Sequence, residues 1–172
     1  RDLNKTVKFI IIHYTGMEGF NVAYQKLTDS KSEVSCHYLI SRNGFIFNLL
    51  SPNLKAWHAG KSEWQNLKLL NDYSIGIELE NKGHDHGYMP FTNKQYISLN
   101  KLISSLTFRY SLNPENILGH SDISPNRKKD PGELFDWNRI RSIKKISAFK
   151  ILSLDVMLAK YGFSKNYITK YK

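Results

Sequence analysis

The sequence predicts an α/β domain, in which β-strands alternate along the chain with amphipathic helices. A nearly continuous apolar run at residues 7–13 is typical of a buried strand. Residues 96–110 instead place apolar side chains at three- and four-residue steps, the spacing of a helix with one buried face. With 172 residues, the chain is long enough for one domain with a substantial core.

Local signals define the other elements of the first half. The Asn43-Gly44 dipeptide is a strong turn signal between two strand-like segments, so it predicts a β-hairpin. The elements expected here are a helix at 20–27, hairpin strands at 35–40 and 45–50, an irregular connection at 51–72 and a strand at 74–80.

The second half is expected to begin with a long helix. Thr92 and Gln95 have the spacing of a capping box, in which each side chain bonds the backbone N–H of the other residue. The helix would bury a face formed by Tyr96, Leu99, Ile103, Leu106 and Tyr110. The elements expected after it are a short strand at Ile117 and Leu118 and a helix capped by Asp136 that contains Trp137, Ile140, Ile143 and Ile146.

Composition limits the classes of partner. The formal charge of +10 and pI of about 9.6 suit either a Lys-rich solvated surface or affinity for nucleic acid, acidic lipid or an anionic cell-wall polymer. The sequence has no RNA-recognition, zinc-finger or helix-turn-helix signature, so we expect no nucleic-acid partner. No apolar run approaches the roughly 18 residues of a membrane span, so no transmembrane segment is expected in this chain.

The single cysteine, Cys36, excludes an internal disulfide bond, and its apolar strand-like surroundings favour a small core residue over a nucleophile. The chain begins at Arg1 and not at Met, which indicates a trimmed or mature form and is compatible with a removed targeting segment. We expect a monomer.

Residues from two separate segments form a candidate metal site. His13 ends the first buried strand, while His120 and Asp130 lie in a segment too rich in Pro, Asn, Gly and charge for a regular helix or strand. Two neutral imidazoles and one carboxylate suit Zn²⁺, and three protein ligands leave a fourth position for water. Because zinc-bound water ionises near neutral pH, such a site would point to hydrolysis.

Two further kinds of charged group could take part in catalysis. In the strand at 74–80, a period of two puts Glu78 and Glu80 on one face. They are either plain surface acids or, if that face lines a cleft, one of them is the general base that zinc hydrolysis needs. Lys128 is either one more cation in a basic loop or a charge placed against a developing oxyanion.

Other histidines and one tryptophan are candidates for binding. His37 and His58 could each be a fourth ligand, a substrate contact or a structural histidine. Trp57, in a loop, suits either stacking on a sugar ring or filling a gap in the core. His84 and His86 form a His-x-His pair, which can bind metal, but in a Gly-rich loop we expect solvated side chains.

Together these motifs resemble the zinc-dependent N-acetylmuramoyl-L-alanine amidases, the superfamily that also contains the peptidoglycan recognition proteins. The matching segments, in the same order, are 9–15, 35–40, 56–60, 71–80 and 119–137. The likeness covers residues 7–145. It implies a mixed central β-sheet flanked by helices, with zinc in a cleft at one face.

The resemblance also implies roles for individual residues. The zinc ligands would be His13, His120 and Asp130, the catalytic acid and lysine of the family would be Glu78 and Lys128, and the cleft contacts would be His37, Trp57 and His58. Recognition members that have lost catalysis typically lack part of the zinc set. The complete set here therefore favours an enzyme, with a non-catalytic peptidoglycan-recognition module as the alternative.

The resemblance suggests a branch and a reaction. Some relatives carry Cys as the third ligand and Tyr just before the position of His37, whereas this chain has Asp130 and Cys36, which places it with the branch that uses Glu78. The implied reaction is hydrolysis of the amide between N-acetylmuramic acid, or its anhydro form, and L-Ala of the peptidoglycan stem peptide. Peptidoglycan or muropeptide fragments are therefore the expected partners.

The compartment and the domain boundary are further expectations. One branch of relatives recycles anhydromuropeptides in the cytoplasm, and the other acts in the cell envelope. The stretch 81–92 is more similar to the envelope branch, so we expect a periplasmic or secreted protein, with the cytoplasm as the alternative. A catalytic domain is expected at 1–147 and a helical extension at 148–172, of which 156–163 resembles the start of a wall-binding module.

Overall fold

The computed structural model describes residues 6–141. Its strands are β1 (Phe9–Tyr14), β2 (Tyr38–Ile40), β3 (Ile46–Asn48), β4 (Glu63–Trp64), β5 (Leu67–Lys68), β6 (Ser74–Leu79) and β7 (Ile117–Gly119). Its helices are α1 (Phe20–Thr28), α2 (Asn93–Tyr110), α3 (His120–Ile123) and α4 (Asn138–Arg141), with 3₁₀ turns at Leu70–Asp72 and Pro114–Asn116.

A five-stranded mixed sheet in the order β3-β2-β6-β1-β7 lies at the centre of the fold. Strand β1 runs parallel to both β6 and β7, and β2 runs parallel to β6. Strands β2 and β3 form the antiparallel hairpin that the Asn-Gly signal predicted. The α/β class with a mixed central sheet and flanking helices is therefore confirmed.

The connection at 51–72 contains more regular structure than the sequence predicted. Strands β4 and β5 form a small hairpin around Gln65 and Asn66, whose φ angles are 47° and 65°. Turns with two successive positive φ angles usually carry Asn-Gly or Asp-Gly. Because Gln-Asn lacks glycine and each strand has only two residues, no sequence signal marked this hairpin.

One face of the sheet packs against α2. The side chains of Ile10 and Ile12 in β1 and of Ile75 and Ile77 in β6 join one core cluster with the buried side of this helix. That side contains Tyr96, Leu99, Leu102, Ile103 and Leu106. The capping box is confirmed, since Thr92 Oγ1 accepts the N–H of Gln95 at 3.1 Å and Gln95 Oε1 accepts the N–H of Thr92 at 3.0 Å.

The opposite face changes from apolar to polar along β1. Because side chains alternate along a strand, Phe9, Ile11 and His13 share this face, and the first two join a second core cluster. Parallel strands bring their carboxyl ends to one edge of a sheet, so the ends of β1, β6 and β7 lie together. His13 and Glu78 are register partners there, and His120 starts α3 directly after β7.

Part of the predicted organisation lies outside the described residues. Asp136 Oδ1 accepts the N–H of Asn138 at the start of α4, which agrees with the predicted cap, and Trp137 precedes the helix. Ile143, Ile146, the boundary near Ser147 and the extension at 148–172 are not described. Within residues 6–141, no helix is long and apolar enough to cross a membrane.

Candidate metal centre

Three buried side chains converge at the carboxyl edge of the sheet. His13 Nδ1 lies 2.9 Å from His120 Nδ1 and 2.9 Å from Asp130 Oδ2, and the last two atoms are 3.0 Å apart. The exposed fractions of these residues are only 1%, 3% and 6%. The structure thus brings together all three predicted ligands, the one group of potential ligand side chains in residues 6–141 that could hold a metal ion.

The loop that carries Asp130 is fixed to the helix that carries His120. The backbone N–H of Ser121 donates to the carbonyl of Asp130 at 2.9 Å. His120 Nε2 lies 3.2 Å from the carbonyl oxygen of Ala59, which can only accept a hydrogen bond. The carbonyl is closer to Nε2 than the donor Arg127 Nη2, which lies at 3.4 Å, so we assign the ring proton to Nε2, which leaves Nδ1 as a lone pair that faces the other two candidate ligand atoms.

The pKa values of His13 and Asp130 are shifted in directions that favour binding of a cation. Burial, followed by repulsion from His120, lowers the pKa of His13 to about 4, so its ring is neutral near pH 7. Burial alone would raise the pKa of Asp130, but the adjoining rings of His120 and His13 hold it below its ordinary value. Neutral imidazoles and an ionised carboxylate are the protonation states that a metal ion requires.

Glu78 lies beside this cluster and is distinguished from Glu80 by its surroundings. Glu78 is buried, and its Oε2 has no hydrogen-bond partner among the described residues. Burial, followed by repulsion from Asp130, raises its pKa well above the ordinary value, while Lys128 lowers it. The Glu80 carboxylate instead accepts the backbone N–H of Arg42 at 2.7 Å, which gives it a structural role in the adjoining loop.

Lys128 is close enough to the centre to act on two of its members. Its charge lowers the pKa of His13 as well as that of Glu78. The lysine is half-buried, whereas its neighbour Lys129 is exposed. The backbone N–H of Lys128 donates to the carbonyl of Ser124 at 2.9 Å, so the turn after α3 sets its position.

Two of the three predicted substrate contacts are buried inside the protein. His37 has no exposed surface, its Nε2 lies 2.9 Å from the carbonyl oxygen of Leu54, and its Nδ1 accepts the N–H of Gly76. His58 is 6% exposed, and its Nδ1 lies 3.0 Å from His13 Nε2, the ring nitrogen on the far side from the candidate site. Both histidines thus contact other groups of the protein interior, and a role for either in substrate binding stays a prediction.

Trp57 is the predicted contact that remains accessible. Its side chain is 43% exposed, while its backbone N–H donates to Ser35 Oγ at 2.9 Å. An exposed indole on an anchored backbone is suited to stacking on a ligand ring. The role of Trp57 in binding stays a prediction.

Comparison with known proteins identifies the family. The family model described as N-acetylmuramoyl-L-alanine amidase matches residues 3–133. The chain belongs to the N-acetylmuramoyl-L-alanine amidase family.

Curated relatives carry the same activity in their names. The chain is 40% identical over 146 residues to N-acetylmuramoyl-L-alanine amidase AmiD of Escherichia coli (strain K12), a match that covers 78% of this chain and 52% of AmiD. It is 46% identical over 110 residues to 1,6-anhydro-N-acetylmuramyl-L-alanine amidase AmpD of Haemophilus influenzae, which covers 63% of this chain and 58% of AmpD. The chain thus spans just over half the length of these relatives.

Solved amidase structures have the same fold. The AmiD complex with anhydro-N-acetylmuramic acid-L-Ala-D-gamma-Glu-L-Lys superimposes with a TM-score of 0.71 at 40% identity, covering 80% of this chain and 57% of that one. AmpDH3 from Pseudomonas aeruginosa, in complex with anhydromuramic pentapeptide, gives a TM-score of 0.73 at 36% identity, covering 80% of this chain and 59% of that one.

This member of the amidase family also contains site features that the sequence did not reveal. Asn71 Oδ1 accepts the backbone N–H groups of His58 and Ala59, which holds these residues against His13 and His120. His84 is not simply solvated as predicted, because its ring lies 2.8 Å from the Tyr14 hydroxyl and 2.9 Å from Glu133. These contacts join segments far apart in the chain, and no local pattern predicts them.

Proposed function

We propose that this chain is a zinc-dependent hydrolase that cleaves the amide between N-acetylmuramic acid, or its anhydro form, and L-Ala of the peptidoglycan stem peptide. The observation that carries the proposal is the buried triangle of His13 Nδ1, His120 Nδ1 and Asp130 Oδ2, with sides of 2.9–3.0 Å. Family membership and the substrate-like ligands named for AmiD and AmpDH3 supply the substrate class.

The donor set fits a zinc ion. Zinc is bound at about 2.0–2.2 Å by imidazole nitrogen and carboxylate oxygen, so its ligand atoms must lie close together, as they do here. Three lone-pair atoms this close would repel one another without a shared cation, since the ring proton of His120 points to Ala59. Bound zinc would act as a Lewis acid on the amide carbonyl and lower the pKa of a water molecule.

Glu78 is the residue that we assign as general base. A base should have a pKa near the working pH, and burial raises the pKa of this carboxylate well above its ordinary value. Its free Oε2 is available to take a proton from the attacking water. Glu78 would then deliver that proton to the departing nitrogen of L-Ala.

Lys128 is the residue that we assign to the oxyanion. When water attacks the amide carbon, negative charge develops on the carbonyl oxygen, and a nearby fixed cation stabilises it. Lys128 is half-buried, and its charge acts on both His13 and Glu78, which supports a position near the reacting atoms.

Trp57 and the overall charge are assigned to binding. The exposed indole of Trp57 would stack on the sugar ring. The formal charge of +10 would attract a stem peptide that carries carboxylates.

We place the activity in the cell envelope, on intact wall fragments. The similarity of residues 81–92 to the envelope branch and the basic composition support this placement. Incubation with purified, intact peptidoglycan should release free stem peptides. Strict dependence on an anhydro sugar, with the native protein in the cytosolic fraction, would instead favour recycling.

Mass spectrometry of muropeptide digests tests the proposed reaction. The zinc-loaded protein should separate muropeptides into a sugar and an intact peptide with a free L-Ala amino terminus. Tight binding of muropeptides without any cleavage would replace the hydrolase by a recognition module. Cleavage at a glycosidic bond or within the peptide would refute the assigned bond.

A further inference from the structure

The buried ring of His58 joins the ligand-bearing strand β1 to the neighbouring strand β6. Its Nδ1 lies 3.0 Å from His13 Nε2, and its Nε2 lies 3.2 Å from Ser74 Oγ. The rings of His58 and His13 meet edge to face, with centroids 5.1 Å apart and an interplanar angle of 80°. His58 thus occupies the one ring nitrogen of His13 that does not face the metal site.

The direction of these hydrogen bonds follows from Ser74. Its hydroxyl donates its only proton to the carbonyl of Leu70, which can only accept. Ser74 Oγ must therefore accept from His58, which places the ring proton of His58 on Nε2. In the neutral ring His58 Nδ1 is then an acceptor, so His13 donates from Nε2 and keeps a bare lone pair on Nδ1.

Strand β6 provides the acceptor Ser74 Oγ, and its residue Gly76 leaves the space that the ring of His58 occupies. A Cβ added at Gly76 would lie 2.4 Å from Cγ and 2.7 Å from Nδ1 of His58, a clash that would push the ring out of place. The backbone of His58 is held from the other side by Asn71, whose Oδ1 accepts its N–H at 3.0 Å. The ring position is therefore fixed by contacts on several sides.

We propose that His58 is a positioning residue, which with Ser74 fixes the Nε2–H tautomer and the orientation of His13 so that Nδ1 faces the metal. The importance of this role for catalysis rests on the proposed function. The proton arrangement itself does not, because it is built from contacts within the protein. Outer hydrogen-bond partners of this kind typically change metal affinity by about 10–100-fold.

The first test measures the tautomer of His13 directly. In zinc-free protein labelled with ¹⁵N, the ring nitrogen shifts at neutral pH should report a proton on Nε2 and none on Nδ1 of His13. Replacement of His58 with Phe should produce a mixture of the two tautomers. A proton on Nδ1 in the native protein would overturn the proposal, whether or not the protein binds zinc.

The second test separates positioning from simple filling of space. His58→Phe keeps an aromatic ring but removes the acceptor, whereas His58→Asn places an amide oxygen near the position of Nδ1. Competition with a chelator should show zinc affinity reduced by about 10–100-fold in His58→Phe and largely restored in His58→Asn. Ser74→Ala should cause a smaller, severalfold loss.

The melting temperature of the zinc-free proteins serves as the control for folding. If His58→Phe and His58→Asn lose zinc affinity equally, in step with their melting temperatures, His58 only fills space and the proposal fails. Unchanged zinc affinity in His58→Phe would overturn it as well. Failure of the native protein itself to bind zinc would refute the proposed function, and the tautomer measurement would still decide the role of His58.

Discussion

The two faces of the central sheet differ in what their burial achieves. On one face, Ile75 and Ile77 of β6 pack against α2 and contribute to the main core. On the other face, Gly76 makes room for a histidine, and Glu78 is buried with one oxygen that has no hydrogen-bond partner in the described part of the chain. Burial of an apolar side chain stabilises the fold, whereas burial of an unpartnered carboxylate costs free energy. The polar face therefore stabilises the fold less than the apolar face does, but it holds the groups that we propose to react.

Loss of a ligand should have the largest effect. His120→Ala removes one of the three atoms of the triangle, so bound zinc and amide hydrolysis should disappear together. Metal analysis and a muropeptide cleavage assay on the same preparation check this. Full zinc occupancy in the variant would mean that His120 is not a ligand.

Glu78→Gln should be the next most severe change. The variant should keep its zinc and bind substrate, while kcat falls by roughly 10²–10⁴-fold because the general base is lost. Its zinc-free form should be at least as stable as the native protein at pH 7, because an amide replaces a buried carboxylate of which one oxygen has no hydrogen-bond partner within residues 6–141. Steady-state kinetics and thermal unfolding measure the two effects.

Glu80→Gln is the matched control for this prediction. It changes the second acid of the same strand region, whose carboxylate is bonded to the backbone of Arg42. We expect a much smaller change in kcat. The opposite ranking of the two variants would show that the base is Glu80.

Lys128→Ala tests the contribution of a positive charge on the polar side. A cation aimed at the oxyanion acts in the transition state more than in the ground state, so kcat should fall by about 10²–10³-fold with little change in KM. Lys129→Ala, which removes an exposed neighbouring charge, should be nearly silent. Similar losses in both variants would indicate general attraction of substrate by a basic loop.

Ile77→Ala tests the face of the sheet that packs against α2, where we expect an effect on stability but none on catalysis. Removing a fully buried side chain from the core should lower the free energy of unfolding by roughly 2–5 kcal/mol. Below its melting temperature the variant should retain zinc and kcat. A loss of kcat comparable to that of Glu78→Gln would show that the two faces are not separable in the way described.

The sequence predicted the apolar face better than the polar one. The α2 face and the alternation of β6 follow from local periodicity, which one chain segment determines alone. The ligand positions were also predicted, because His13 ends a recognisable strand and the motifs resemble a known family. The burial of His37 and His58 was not predicted, since a histidine beside a site looks the same in sequence whether it faces solvent or the interior.

The distinction between Glu78 and Glu80 shows the same limit. Period two predicts that both carboxylates are on one face, and only the parallel register of β6 with β1 places Glu78 beside His13. Ser74 and Gly76 likewise have no sequence signal of their own, because their partner, His58, comes from a loop that packs against them through tertiary contacts.

The dependence of cleavage on bound metal tests the zinc assignment. Zinc content and muropeptide cleavage would be measured in the native protein, after removal of metal by a chelator, and after zinc is returned. We predict one zinc per chain, loss of cleavage at the bond to L-Ala when zinc is removed, and recovery when it is restored. Cleavage that continues unchanged in metal-free protein would contradict the assignment of His13, His120 and Asp130 as the centre of a zinc hydrolase.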